Sequence, residues 1–249
     1  MANWSDPRIG GGANPATTAG RADVGVDAGL RAHMLSVYNY MTSGVLLTGI
    51  VALLFAESGA VWSLLNETRT GMSPLGWIVM LAPLGIVLWM SFGINRISTG
   101  TAQILYWVYA VLMGASLSTI FLVYTNASIA LTFFATAAAF ASLSLYGYTT
   151  KRDLSGMGTF LIMGLVGIIV ASIVNLFWMN DTFSLAIAAI GVLVFAGLTA
   201  YDTQKIKSMY FAVAGTDFIG KAAVMGALTL YLDFINMFLF LLRFLGSRE

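Results

Sequence analysis

Seven nearly unbroken apolar stretches divide the chain, at 37–56, 76–94, 102–124, 128–148, 156–178, 183–201 and 222–242. Each can cross a hydrocarbon core of about 30 Å as a helix rising about 1.5 Å per residue. The strict apolar–polar alternation of a transmembrane β-strand is missing from them. The pattern therefore predicts an all-α, polytopic membrane protein with seven transmembrane helices. Aromatic residues stand at the ends of the runs, where amphipathic rings meet the membrane interface: Tyr38, Tyr40, Trp77, Tyr124, Tyr146, Tyr148, Trp178 and Tyr201. Pro83 lies inside the second run and is predicted to bend it, since it lacks an N–H and crowds the preceding turn. Small residues at four-residue spacing (Ala110, Gly114 and Ser118; Gly167 and Ala171; Ala196 and Ala200) read as ordinary close packing between helices.

The segment before the first run has a different character. Residues 1–35 are rich in Gly, Ala, Asp and Arg and have no hydrophobic period, which predicts a flexible polar cytosolic tail followed by a seven-helix domain over 36–249. The mixture of Asp6, Asp23 and Asp27 with arginines is unlike a signal peptide, so the first run is read as an uncleaved span. His33, the sole histidine, is expected at the interface as a surface residue.

Composition narrows the class. Of 249 residues, 59% are hydrophobic and 9% charged, and the mean hydropathy is +0.86. An ordinary soluble domain carries about 25% charged residues, so the solvent for most of this surface is lipid. A net charge of +1 offers no basic surface for nucleic acid, and the lack of cysteine removes disulfides, thiol catalysis and Cys-based metal sites. With the N-terminus in the cytosol, inside segments hold Arg8, Arg21, Arg31, Arg96, Lys151, Arg152, Lys205, Lys207 and Lys221, against Arg69, Arg243 and Arg248 outside. That asymmetry favours the N-in orientation.

Ionisable groups inside spans are costly, which makes the few present informative. Asp202 closes the sixth run in GLTAYDTQ, and Asp233 lies within the seventh in LTLYLDFIN. Thr229, Asp233 and Asn236 fall on one helical face, and Thr199 and Asp202 on another, so a polar seam would form where the faces meet. Two carboxyls brought together there would share a proton and titrate as a unit, and their oxygens would suit Ca²⁺, a hard cation. Depth counting puts the two acids roughly 10 Å apart along the membrane normal, with a polar connection at 208–220 between their helices. On the residues alone two readings stay open. One is a shared site; in the other, Asp202 is an interfacial acid near Lys205 and Asp233 a buried protonated one. Arg96 ends the second run at the depth of Asp202, either as a latch paired with it or as a plain topology signal.

At these residues the chain resembles the Bax inhibitor (transmembrane Bax-inhibitor-motif) family in its bacterial branch. The resemblance is carried by GLTAYDTQKIK at 197–207 and GALTLYLDFINMFLFLLRFLG at 226–246, and supported by GINRISTGTAQILYWVYAVLMGASLS at 93–118 and SLYGYTTKRDLSGMG at 144–158. It implies a seven-helix fold in which the C-terminal helix is central, set in a bacterial inner membrane. It also implies a pH-sensitive calcium leak whose sensor is the aspartate pair matching Asp202 and Asp233, with an arginine latch for which Arg96 is the match. Lipid, Ca²⁺ and H⁺ are the implied partners, with Ca²⁺ as the ion carried or sensed and no cofactor. Related bacterial proteins suggest a second role, modulation of membrane proteolysis or stress response through a membrane protease.

The enzyme class to weigh against a channel is an intramembrane aspartyl protease, which also shares a proton between two span aspartates. That class resembles GxGD at its second acid, whereas Tyr231-Leu232-Asp233 stands here and Leu232 blocks close approach of a substrate strand. Its Pro-Ala-Leu signature is missing, with Ala82-Pro83-Leu84 in the wrong span and order. No lysine within a run could form a Schiff base, and no embedded histidine could serve a serine protease. A non-enzymatic function is the expectation.

Overall fold

The computed structural model describes residues 15–69 and 71–247. Seven α-helices run in order: α1 Pro15–Glu57, α2 Pro74–Gly93, α3 Thr99–Leu117, α4 Asn126–Thr149, α5 Ser155–Trp178, α6 Asp181–Val213 and α7 Ile219–Leu245. All seven are long and apolar enough to cross a membrane. There is no strand among the described residues; Leu65 and Met72 form an isolated bridge. Helix starts follow local chemistry. The side chains of Ser73, Ser98, Thr125 and Asn180 accept hydrogen bonds from the otherwise unpaired N–H groups of Gly76, Thr101, Ser128 and Phe183. Pro74 adds a favourable first-turn residue, and α2 continues through Pro83.

The bundle is built around α7, which is flanked by α1, α3, α4 and α6, as the sequence resemblance implies. Its centre is aromatic: Tyr231 of α7 meets Tyr106 and Tyr109 of α3 edge to face and bonds Thr48 of α1 at 2.7 Å. Two glycines set the helix spacing. A Cβ on Gly147 would run into the Ala200 carbonyl, and one on Gly114 would press on the Thr48 carbonyl, so α4–α6 and α1–α3 approach backbone to backbone. Large apolar side chains face outward, with Phe92 85% and Phe177 84% exposed. An apolar exterior around a packed core is the arrangement that lipid stabilises. The protein is an integral membrane protein.

Two sequence expectations change. The tail predicted over 1–35 gives way to helix from Pro15, and Leu30, His33 and Met34 are buried in the bundle; residues 1–14 lie outside the described residues. His33 packs on Tyr210 of α6 at a ring distance of 5.6 Å and is not a surface residue. The connection predicted at 208–220 shrinks to five residues, 214–218, because α6 runs on to Val213 and α7 starts at Ile219. Both differences have one cause. Hydropathy marks where a helix leaves lipid, whereas the hydrogen-bonded helix continues into water as long as its residues allow.

Seven successive crossings gather Arg31, Arg96, Lys151, Arg152, Lys205, Lys207 and Lys221 at one end, the basic end; Arg69 and Arg243 stand at the other.

Candidate functional site: a carboxyl pair between α6 and α7

The extension of α6 and α7 beyond the membrane decides the geometry. Asp202 lies eleven residues before the end of α6, and Asp233 fourteen residues after the start of α7. In an antiparallel hairpin the difference of three residues is about 4.5 Å of rise, within reach of two side chains. The two carboxyls stand close enough to act directly on each other across the α6–α7 contact. An ionised carboxylate only accepts, so a hydrogen bond between two such groups would need a proton on one of them. Both residues are buried, and Asp233 Oδ2 has no partner among the described residues, leaving an oxygen free for water or a cation.

The residues around Asp202 in the GLTAYDTQK segment have separate tasks. Tyr201 packs across Gly158, where any Cβ would strike its ring. Thr203 Oγ1 donates to the Thr199 carbonyl and meets Ser144 Oγ of α4 at 3.0 Å. Gln204 bonds the α4–α5 connection twice, Nε2 to the Arg152 carbonyl and Oε1 from the Leu154 N–H, both at 2.8 Å. Asp202 is thus held on a helix anchored on both sides. Lys205 is exposed, lies over the Tyr201 ring and acts electrostatically on Asp202.

Three adjoining cavities run past the pair. The central one, of about 590 Å³, lies between α5 and α7 and is lined by Asp202, Asp233, Thr229, Asn236 and Lys205 among others. Towards the basic end it shares Tyr201 and Lys205 with a cavity of about 310 Å³ under the α4–α5 connection. There Asp153 accepts from the Ser155 N–H at 2.9 Å, and its bonds to Ser155 hold its carboxyl below the usual range. Towards the other end the central cavity shares Ser172, Asn236 and Phe240 with one of about 480 Å³ that reaches Tyr124 and Arg243. At that end Arg243 bonds Ser184, which also accepts from Asn175, joining α7, α6 and α5.

The family described as inhibitor of apoptosis-promoting Bax1 has a model that matches residues 30–249. The chain belongs to this family. It is similar to an uncharacterized protein of Rickettsia prowazekii, with 52% identity over 224 residues, 90% of this chain and 92% of that one. Inner membrane protein YbhL of Escherichia coli K12 is 49% identical over 224 residues, covering 89% of this chain and 94% of its own. An uncharacterized protein of Caulobacter vibrioides is 46% identical over 236 residues, covering 93% and 94%.

In this Bax inhibitor family protein the structure unites some of the residues singled out in the sequence and separates others. Asp202, Asp233, Thr229 and Asn236 share the central cavity. Thr199 does not line it; its hydroxyl turns back to the Phe195 carbonyl at 2.8 Å. Arg96 is exposed beyond α2, a helix that packs on α3 and is not among the principal neighbours of α6, and it lies outside the cavity. The charge beside Asp202 is Lys205, one turn along the same helix. A sequence i, i+3 pair signals it, but it competes with a cation from any other span. The Arg243–Ser184–Asn175 cluster left no such signal, because its members come from three helices. Among the described residues no group of three or more His, Cys, Asp or Glu gathers to hold a metal. The cavity offers two carboxyls and the Asn236 amide, fewer than the roughly 6–8 oxygen ligands that hold Ca²⁺ tightly.

Proposed function

We propose that this Bax inhibitor family protein is a pH-sensitive Ca²⁺ leak channel of the bacterial inner membrane, with its basic end and N-terminus in the cytosol. The observation that carries the reading is the run of three adjoining cavities with the Asp202–Asp233 pair in the middle one. Protonation sets the charge of the pair. A shared proton keeps the carboxyls bonded and bridges α6 to α7, whereas loss of that proton creates like-charge repulsion and a doubly anionic site attractive to Ca²⁺. Lys205 offsets part of that charge at the basic mouth, and the Arg243 cluster narrows the opposite one. The protein is read as a non-enzyme: Leu232 beside Asp233 keeps a substrate strand from the backbone, as an aspartyl protease could not tolerate.

The test is Ca²⁺ entry into proteoliposomes of the purified full chain, followed with a trapped dye across a pH series, with cleavage of a membrane substrate measured in the same vesicles. The parent should conduct in a pH-dependent way, and Asp202→Asn should flatten the dependence. Vesicles that admit no Ca²⁺ at any pH would refute the channel, and cleavage lost with Asp202→Asn would establish the protease.

A further inference from the structure

A second large cavity lies on the other side of α7. Helices α1 and α4 both pack on α7 yet stand apart from each other, joined by a hydrogen bond of 2.7 Å between Tyr38 Oη and Ser144 Oγ. Between them is a slot of about 770 Å³, within the range of small-ligand sites. One wall follows a single face of α1 at three- and four-residue spacing, through Leu35, Tyr38, Thr42 and Val45. The other is a face of α4 that includes Phe133, Ala137 and Ala141, with Phe234 of α7 as the floor. Leu35, Thr42 and Ala141 are exposed at its rim, which opens towards lipid.

The two ends of the slot differ chemically. Its basic end carries Arg31 from α1, exposed, and Tyr148 from α4. Lys207 stands behind Tyr148, its Nζ donating to the Tyr148 carbonyl at 2.8 Å and lying 5.1 Å from the ring centre. The rest of the lining is apolar apart from Tyr38, Thr42 and Ser144. From Arg31 to Leu46 the wall of α1 covers sixteen residues, about 22 Å of helix. That is half of the roughly 40–45 Å of a bilayer with its headgroups. The slot therefore spans one leaflet, with a cation at headgroup level and a greasy trench at acyl-chain level.

We propose that this slot is a binding site for one acidic phospholipid of the leaflet at the basic end, its phosphate on Arg31 and Tyr148 and an acyl chain along α1 and α4. The charge of Arg31, with Lys207 behind, selects an anionic headgroup, and the apolar walls take the chain. A bound lipid there would wedge α1 against α4 and brace α7 from the side opposite the carboxyl pair.

The experiment uses the full chain reconstituted in vesicles of equal parts phosphatidylcholine and phosphatidylglycerol, re-extracted in mild detergent and weighed by native mass spectrometry. One phosphatidylglycerol should stay with each chain. Arg31→Gln should cut that retention about tenfold, the effect of one lost charge contact. Ala141→Phe and Thr42→Trp, at exposed rim positions on opposite walls, should each fill the trench and expel the lipid. Leu193→Phe, equally lipid-facing but outside the slot, should leave retention unchanged. Equal retention of phosphatidylcholine would overturn the headgroup assignment. Retention that survives both filling variants would overturn the slot as the site, as would a dimer of the chain that excludes lipid. Failure here leaves the conduction assay untouched, because the slot does not share a residue with the three cavities.

Discussion

Arg243 Nη2 of α7 donates to Ser184 Oγ of α6 at 2.7 Å, and Ser184 in turn accepts from Asn175 Nδ2 of α5 at 2.6 Å. The three helices that surround the carboxyl pair are thus tied at the end opposite the basic one. Arg243→Met should break the tie while keeping most of the apolar stem. The expected cost is about 1–2 kcal/mol of stability, that of a half-buried charge-assisted bond. Ca²⁺ entry should rise by a similar factor at every pH, because the pH response belongs to the pair. A change in pH dependence without a change in rate would contradict this division of roles.

Asp202 and Asp233 should behave as one titrating unit. Asp202→Asn and Asp233→Asn should each flatten the pH profile of Ca²⁺ entry, and the double variant should be little worse than the worse single. Non-additivity is the signature of groups in contact. Asparagine keeps the shape and one acceptor, so folded protein should be recovered, as gel filtration and thermal melts can verify. Additive losses with two separable pH effects would mean independent acids.

The cation that tunes the pair should be Lys205 and not Arg96. Removing a nearby positive charge favours the protonated form of a carboxyl, so Lys205→Gln should move the pH-sensitive step of Ca²⁺ entry towards higher pH. The shift should shrink at high salt, since Lys205 is exposed. Arg96→Ala should leave the profile in place. The opposite ranking of the two variants would restore the latch at Arg96.

Gly147→Ala should destabilise the bundle by about 1–3 kcal/mol, because the new Cβ meets the Ala200 carbonyl and a backbone atom cannot step aside. Gly167→Ala is the matched control, with open space around its Cβ position. The comparison is of thermal midpoints in detergent. Equal midpoints would show that α4 and α6 do not approach as closely as described.

Seven crossings put the two chain ends on opposite sides of the membrane. A phosphatase fused after Glu249 should be active and a green fluorescent protein there dark if the N-terminus is cytosolic. The reverse result would invert the proposed orientation or remove one crossing.

The spans, their number and the rarity of charge inside them were legible in the sequence, because transfer from water to lipid is a property of each segment taken alone. So were Asp202 and Asp233 as unusual residues, since a carboxyl in a span is expensive wherever it sits. Their meeting was implied by the family resemblance but not legible from hydropathy and spacing. Depth counting from hydropathy edges set them about 10 Å apart, and only the continuation of α6 to Val213 and the early start of α7 at Ile219 closed the gap. Depth counting had a related blind spot at Arg96: equal depth says nothing about which helices are neighbours, and α2 packs on α3. Hydropathy also could not divide the polar residues of α6 by direction. Thr199 back-bonds its own helix, Thr203 faces α4 and Asp202 faces α7, a partition decided by which neighbour fills each side. The slot beside Arg31 belongs wholly to the tertiary structure, for it exists where α1 and α4 stand apart on either side of the Tyr38–Ser144 bond, and a gap between two helices leaves no mark on the residues of either.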